Sequence, residues 1–268
     1  MKIKKAILLV SVFSLLACSG DDENTITPAA NGINSYRFYY MDYPFGTANS
    51  QNNITVNYDN GKIVKLIGGV SELAQESGYS FVFNQNRYID ISYSNNTATI
   101  TQKDTFYPDF ANKQIVTFTS EGKLKSKITI DYFDPSIIDT IRYFYQNGHL
   151  KSFEKHNRRL ISKSEIYYNA EADVDSIVTL APNYNASNQP YFDPASKERS
   201  VRKFLNFDNN DNPFKAFIIF DEAFHRSLSA HNYTKWEETN YDYDGHVIGY
   251  SWREWTYIRE NGIINFAL

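Results

Sequence analysis

The chain has one cysteine in 268 residues, so no disulfide framework holds it together. Histidine is scarce too. The five, at 149, 156, 225, 231 and 246, include no pair at the i, i+4 spacing of a zinc helix; His225 and His231 are six apart and fall on different faces. Glycine-rich phosphate loops are missing, with Gly68-Gly69 an isolated pair, and no Gly-x-Ser-x-Gly elbow marks a serine nucleophile. Basic residues are outnumbered, 27 against 31, for a formal net charge of −4, which argues against a surface for nucleic acid. No cofactor is expected.

What is abundant is equally directive. The chain holds 21 Tyr, 19 Phe and 27 Asn. Tyr and Phe favour a pleated, half-buried surface and Asn favours tight turns, a pairing that predicts short strands joined by hairpins.

The N-terminus reads as an address. Lys2, Lys4 and Lys5 precede an apolar run over 6–16 that is too short for a permanent membrane span. Leu15-Leu16-Ala17-Cys18 then resembles a bacterial lipobox, which implies that 1–17 is a signal peptide and that Cys18 carries a lipid anchor in a membrane. An ordinary secretory signal with an incidental cysteine is the competing reading. Removing three lysines leaves 24 basic and 31 acidic side chains, a net charge near −7. Residues 18–35 read as a flexible tether, and their Asp21-Asp22-Glu23 resembles the surface-export signal of Bacteroidota lipoproteins. The implied location is the outer membrane, by lipid anchor, with exposure at the cell surface.

The remainder, 36–268, repeats one unit and reads as one domain. An aromatic or apolar pair brackets one residue, a polar turn follows, and an apolar strand resumes. Val56-Asn57-Tyr58-Asp59-Asn60-Gly61-Lys62-Ile63 and Tyr143-Phe144-Tyr145-Gln146-Asn147-Gly148-His149-Leu150 are clear copies, with others ending in Gly122, Gly245 and Gly262. Asn-Gly and Asp-Gly supply the positive φ of a tight hairpin turn. The irregular spacing of the glycines argues against a fixed-period solenoid. The fold class is therefore mostly all-β: an antiparallel meander of consecutive hairpins forming a curled open sheet or incomplete barrel, with one or two short helices. One helix is expected within 221–233, with Phe224, Leu228 and His231 along a face, and a helical turn within 195–202. The aromatic-x-aromatic-Asp/Asn-x-x-Gly-x-Leu/Ile/Val unit resembles the YD (RHS-type) repeat. Together with the lipobox, it is similar to Bacteroidota lipoproteins carrying such repeats, a family that implies this fold and brings no assigned activity.

Candidate chemistry is thin. Asn240, Asp242, Asp244 and Gly245 match the start of a calcium loop, but Ser251 stands where a bidentate Glu belongs, and the same residues fit a hairpin. Acids for glycoside chemistry are available in Asp221, Glu222, Glu237, Glu238 and Glu254, as they are on any acidic sheet. Asp139-Thr140-Ile141 and Asp175-Ser176-Ile177 resemble the O-glycosylation pattern of Bacteroidota exported proteins.

The tryptophans are the strongest lead. Trp236, Trp252 and Trp255 fall within twenty residues, beside Tyr250 and Arg253. On a rim, these five residues make platforms for sugar rings or for a protein hot spot; otherwise the tryptophans fill the core. Alternation places Tyr250 and Trp252 on one face and Trp255 on the other. The expectation is a non-catalytic envelope lipoprotein binding a glycan or protein partner. A structural envelope component is the alternative, and a glycan hydrolase the third reading.

Overall fold

The computed structural model describes residues 32–37, 53–75, 78–103, 113–131, 134–157, 161–254 and 256–267. The lipobox and Cys18 lie outside them, as does Trp255. The strands are β1 (Ser35–Arg37), β2 (Asn53–Asp59), β3 (Lys62–Gln75), β4 (Gly78–Ser94), β5 (Thr97–Lys103) and β6 (Lys113–Phe118). They continue with β7 (Leu124–Ile130), β8 (Ile138–Gln146), β9 (His149–His156), β10 (Ile161–Tyr168), β11 (Val174–Leu180) and β12 (Asn183–Tyr184). The last six are β13 (Pro190–Tyr191), β14 (Arg199–Phe207), β15 (Tyr233–Tyr241), β16 (Val247–Glu254), β17 (Thr256–Glu260) and β18 (Ile263–Ala267).

Sixteen of these strands form one sheet, in which β1 to β11 follow one another as an antiparallel meander and β14 to β16 extend it past a side hairpin, β12–β13. At the other end, β1 pairs in parallel with β18, and β18 pairs with β17. The two edge strands, β16 and β17, are thus separated in the chain by Trp255 alone. Chain continuity brings the sheet's first and last strands together, so the meander curls round on itself.

The repeat unit has a local cause. Asn60-Gly61, Asn147-Gly148 and Asn261-Gly262 all hold φ near +50° and then +75° to +84°, the double positive φ of a type I′ hairpin turn. Just before several turns the ladder slips by one residue, at Asn57/Tyr58, Thr117/Phe118, Phe144/Tyr145, Tyr167/Tyr168 and Asn240/Tyr241. In each case the second residue is an aromatic three or four positions before the end of the turn. Three tyrosine hydroxyls then reach back to the preceding hairpin. Tyr93 donates to the Ile63 carbonyl (3.0 Å), Tyr168 to that of Leu150 (3.2 Å), and Tyr145 hydrogen-bonds the backbone of Leu124. Each backbone partner belongs to the apolar residue two after a turn glycine, so the unit stitches one hairpin to the next.

Alternation sets two faces of opposite character. Inward point Ile54, Val56, Tyr58, Leu66, Ile91, Ile100, Val116, Tyr143, Ile166, Ile177 and Phe204, all buried. Outward point Lys65, Asp90, Lys103, Arg142, Glu154, Lys163, Glu165, Lys203, Lys235 and Glu237, on the register that pairs them across strands. Outer ion pairs such as Lys65–Asp90 (3.6 Å), Lys103–Asp90 (3.3 Å) and Lys235–Glu237 (2.8 Å) run over this surface. A lipid-facing barrel needs the reverse, an apolar outer band about 25 Å tall.

The hollow of the curl is filled by the connection between β14 and β15. It contains 3-10 turns at Pro213–Phe217 and Asp221–Ala223 and the four-residue helix α1 (Phe224–Ser227). Phe214, Phe217, Phe220 and Phe224 are all buried. Phe217 meets Tyr36 of β1 edge-on at 5.5 Å, while Phe224 packs on Tyr143 of β8 (5.6 Å) and Phe153 of β9 (5.3 Å). Polar anchors complete the seat. Lys127 of β7 donates to the Ile219 carbonyl (3.0 Å) and pairs with Asp221 (2.8 Å). Asp173 accepts from the His231 backbone N–H (2.7 Å) and lies 2.9 Å from its Nδ1.

Two local expectations change. The helix expected over 221–233 is α1 with a 3-10 turn before it, because the segment follows the inner wall of the sheet. The helical turn expected over 195–202 does not form: β14 begins at Arg199, where Leu180 of β11 and Tyr241 of β15 take it into the ladder.

Candidate functional site

The five nominated residues separate. Trp236 is 5% exposed and faces inward opposite Phe204, with the Arg202 guanidinium 5.0 Å from its ring. It is core, which corrects its place among the ligand-binding candidates. Arg253 pairs with Trp236 in the β15–β16 register and therefore also points inward, away from any outer surface. Trp255 lies outside the described residues.

Tyr250 and Trp252 do come together. They occupy alternate positions of β16 on its outer face and remain 57% and 54% exposed, with Ile248 continuing the row at 68%. Two strand positions set their Cα atoms about 6.7 Å apart. Across the ladder, Trp252 stands opposite Glu237 and Tyr250 opposite Thr239, with Lys203 beyond Glu237. The Lys235 ammonium hydrogen-bonds Glu237 at 2.8 Å and lies 5.8 Å from the Trp252 ring. That hydrogen bond holds the Glu237 carboxyl below its ordinary range and lifts the Lys235 amine above its own, so both are charged at neutral pH. Tyr250 adds a further hydrogen bond to Glu237. Flat rings therefore lie beside fixed charges on a solvent-facing sheet.

The neighbouring loops add to this surface. Gly245, in the turn between β15 and β16, abuts Lys197 of the β13–β14 connection, so the two loops touch. One carries exposed Tyr243, and the other follows the β12–β13 hairpin, which exposes Tyr184 and Tyr191. Among the described residues, seven of the twelve exposed large apolar side chains fall between Tyr184 and Trp252, so exposure of this kind is concentrated here. Sequence reasoning missed Tyr184, Tyr191, Tyr243 and Ile248. Tyr184 and Tyr191 flank the Asn185 turn, whose side chain accepts from the Ser187 and Gln189 N–H groups, and a tyrosine on each side of such a turn was the available signal.

Other chemistry finds less support. The Asp242 carboxylate accepts from the Asp244 and His246 N–H groups, both at 2.9 Å, which is a hairpin turn and commits one oxygen of the calcium-loop match. No cluster of three or more metal-ligating side chains occurs among the described residues. The five acids do not gather at one place. Glu238 is held on the inner face by Arg202 (2.8 Å), and Glu237 and Glu254 lie outside, while Asp221 and Glu222 belong to the inserted segment, where Asp221 pairs with Lys127 and opens to water. Burial pushes the Glu222 carboxyl up.

Neither a protein-family model nor a curated relative matches the sequence. Among solved structures, the chain is similar to a porin-like protein from Bacteroides uniformis, at 11% identity over 80% of this chain and 87% of that one, with a TM-score of 0.44. It is similar also to a porin-like protein from Bacteroides vulgatus, at 10% identity over 81% and 86%, with a TM-score of 0.46.

Proposed function

We propose that this chain is a non-catalytic binding module of the bacterial outer membrane, tethered through lipid on Cys18, that holds a glycan on the outer face of β15 and β16. The observation that carries the reading is the exposed row Ile248, Tyr250 and Trp252 on a sheet whose outer face is otherwise rich in charge. Aromatic rings in that position present an apolar face for the C–H face of a sugar. Glu237, Thr239 and Lys235 beside them offer acceptors and donors to ring hydroxyls. A folded protein leaves such a patch in water at a cost, and a ligand that covers it recovers that cost.

Sedimentation of the purified protein with insoluble polysaccharides tests this directly. Binding to at least one polysaccharide is expected, with at least a tenfold loss in both Trp252→Ala and Tyr250→Ala. Because both side chains are exposed, melting temperatures of these variants stay within a few degrees of the parent. Equal retention of parent and variants on every polysaccharide removes the aromatic row from ligand binding.

A further inference from the structure

A concavity lies away from the aromatic row, where the hairpin turns after β2, β4 and β6 gather round the inserted segment. It has a volume of about 350 Å³, at the lower end of small-molecule sites. Its floor is apolar: Ile63 and Ile219 are buried, while Phe118, Tyr93 and Ile218 are half-buried. Its mouth is polar, with Lys62, Asn95 and Ser120 exposed around it. The Lys62 ammonium stands 5.0 Å over the Tyr93 ring. Among the lining residues Lys62 is the one cation, and the two carboxylates at the rim, Asp59 and Glu121, stand outside the lining.

We propose that this concavity binds a medium-chain amphiphile with an anionic head, its tail on the Ile63, Phe118 and Ile219 floor and its carboxylate at Lys62 and the Asn95 amide. Size and charge select this class together. At roughly 30 Å³ for each water-sized group, the space takes about ten to twelve heavy atoms, which suits a single short chain. An apolar floor with a few convergent polar groups at one end fixes which way such a molecule enters. The hydroxyl of Tyr93 is occupied by the Ile63 carbonyl, so the ring face, rather than its polar tip, is what the tail meets.

Calorimetric titration with decanoate, decanol and decyltrimethylammonium, each below its aggregation threshold, tests the proposal on the full chain. Decanoate is expected to bind one to one, more tightly than decanol, and the cation most weakly. Lys62→Met brings decanoate about three- to fivefold closer to decanol, the effect of a partly exposed ion pair. Ala216→Trp, at an exposed position of the wall, fills the space and abolishes binding of all three. Lys62→Met reads the same site should the bulkier variant not fold. Absence of saturable decanoate binding, or binding unchanged in folded Ala216→Trp, overturns the proposal. An affinity order with the cation first overturns the assignment of the anionic head.

Discussion

The ion pair that pins the inserted segment makes an unequal prediction about its two partners. Lys127 is 3% exposed and Asp221 is 61% exposed. Asp221→Ala leaves a buried ammonium with one neutral acceptor, the Ile219 carbonyl, and also strands the Gln114 amide that Asp221 accepts from at 3.1 Å. Orphaning a buried charge costs about 3–5 kcal/mol. Because Asp221 opens to water, solvent reaches the ammonium, and the lower end, about 3 kcal/mol, applies. Lys127→Met is milder. It leaves a carboxylate that water already reaches, removes the desolvation of the ammonium and keeps most of the stem's packing. The lost hydrogen bond to Ile219 costs about 1 kcal/mol, partly offset by those gains. In the Lys127→Met background, Asp221→Ala costs under about 1 kcal/mol, so the coupling is about 2 kcal/mol. Urea unfolding of the four proteins followed by far-UV circular dichroism measures the cycle. Lys127→Met as damaging as Asp221→Ala, or additive single effects, refutes the reasoning.

Three further outcomes follow from the same packing. Hydrogen bonding to Asp173 raises the His231 pKa above its ordinary value near 6.5; its stabilisation is complete below that value and is lost as pH rises through the folded value. The melting temperature therefore falls between pH 6 and pH 8, and Asp173→Asn flattens that slope. Phe217→Ala removes a ring that is 0% exposed and packed on Tyr36 and Phe214, and costs about 3–5 kcal/mol by chemical denaturation. Tyr168→Phe leaves the ring in place but deprives the Leu150 carbonyl of its donor, at about 1 kcal/mol in the same assay.

How far the sequence leads depends on how local each cause is. Asn60-Gly61 and Asn147-Gly148 announce hairpins because the φ values a turn demands are properties of those residues themselves. The shared face of Tyr250 and Trp252 is legible for the same reason, since alternation is local. Which face looks inward is not. Trp236 looks no different from Trp252 in sequence, and the distinction arises when β14 brings Phe204 opposite Trp236. The curl itself depends on β1 meeting β18, residues more than two hundred positions apart. For the inserted segment, Phe214, Phe217 and Phe220 recur every three residues, the period of a 3-10 turn. That spacing is legible in the sequence and lies just ahead of the helix expected over 221–233.

The polarity of the two faces leads to a last prediction, about how the protein meets a membrane. Outward charges recur on strand after strand, from Lys65 and Asp90 through Arg142, Glu154 and Lys163 to Lys203 and Glu237. In hydrocarbon, each outward lysine or arginine at the midplane costs about 2–4 kcal/mol. Four of them, Lys65, Lys103, Arg142 and Lys163, would together cost up to about 16 kcal/mol were all at the midplane, and less toward the interfaces, against about 5–15 kcal/mol for the whole stability of a domain. The inner face, meanwhile, has no room for a water column where Phe214, Phe217 and Phe224 fill it. On the proposed anchoring through Cys18, contact with the bilayer falls to the lipid, and the charged outer face of the sheet is turned to water. Detergent phase separation discriminates: the full chain, acylated at Cys18, goes to the detergent phase, and a chain begun at residue 19, without signal or lipid, goes to the aqueous phase. If the chain begun at residue 19 stays with detergent while folded, the sheet itself contacts lipid, and the assignment of its charged face to solvent falls.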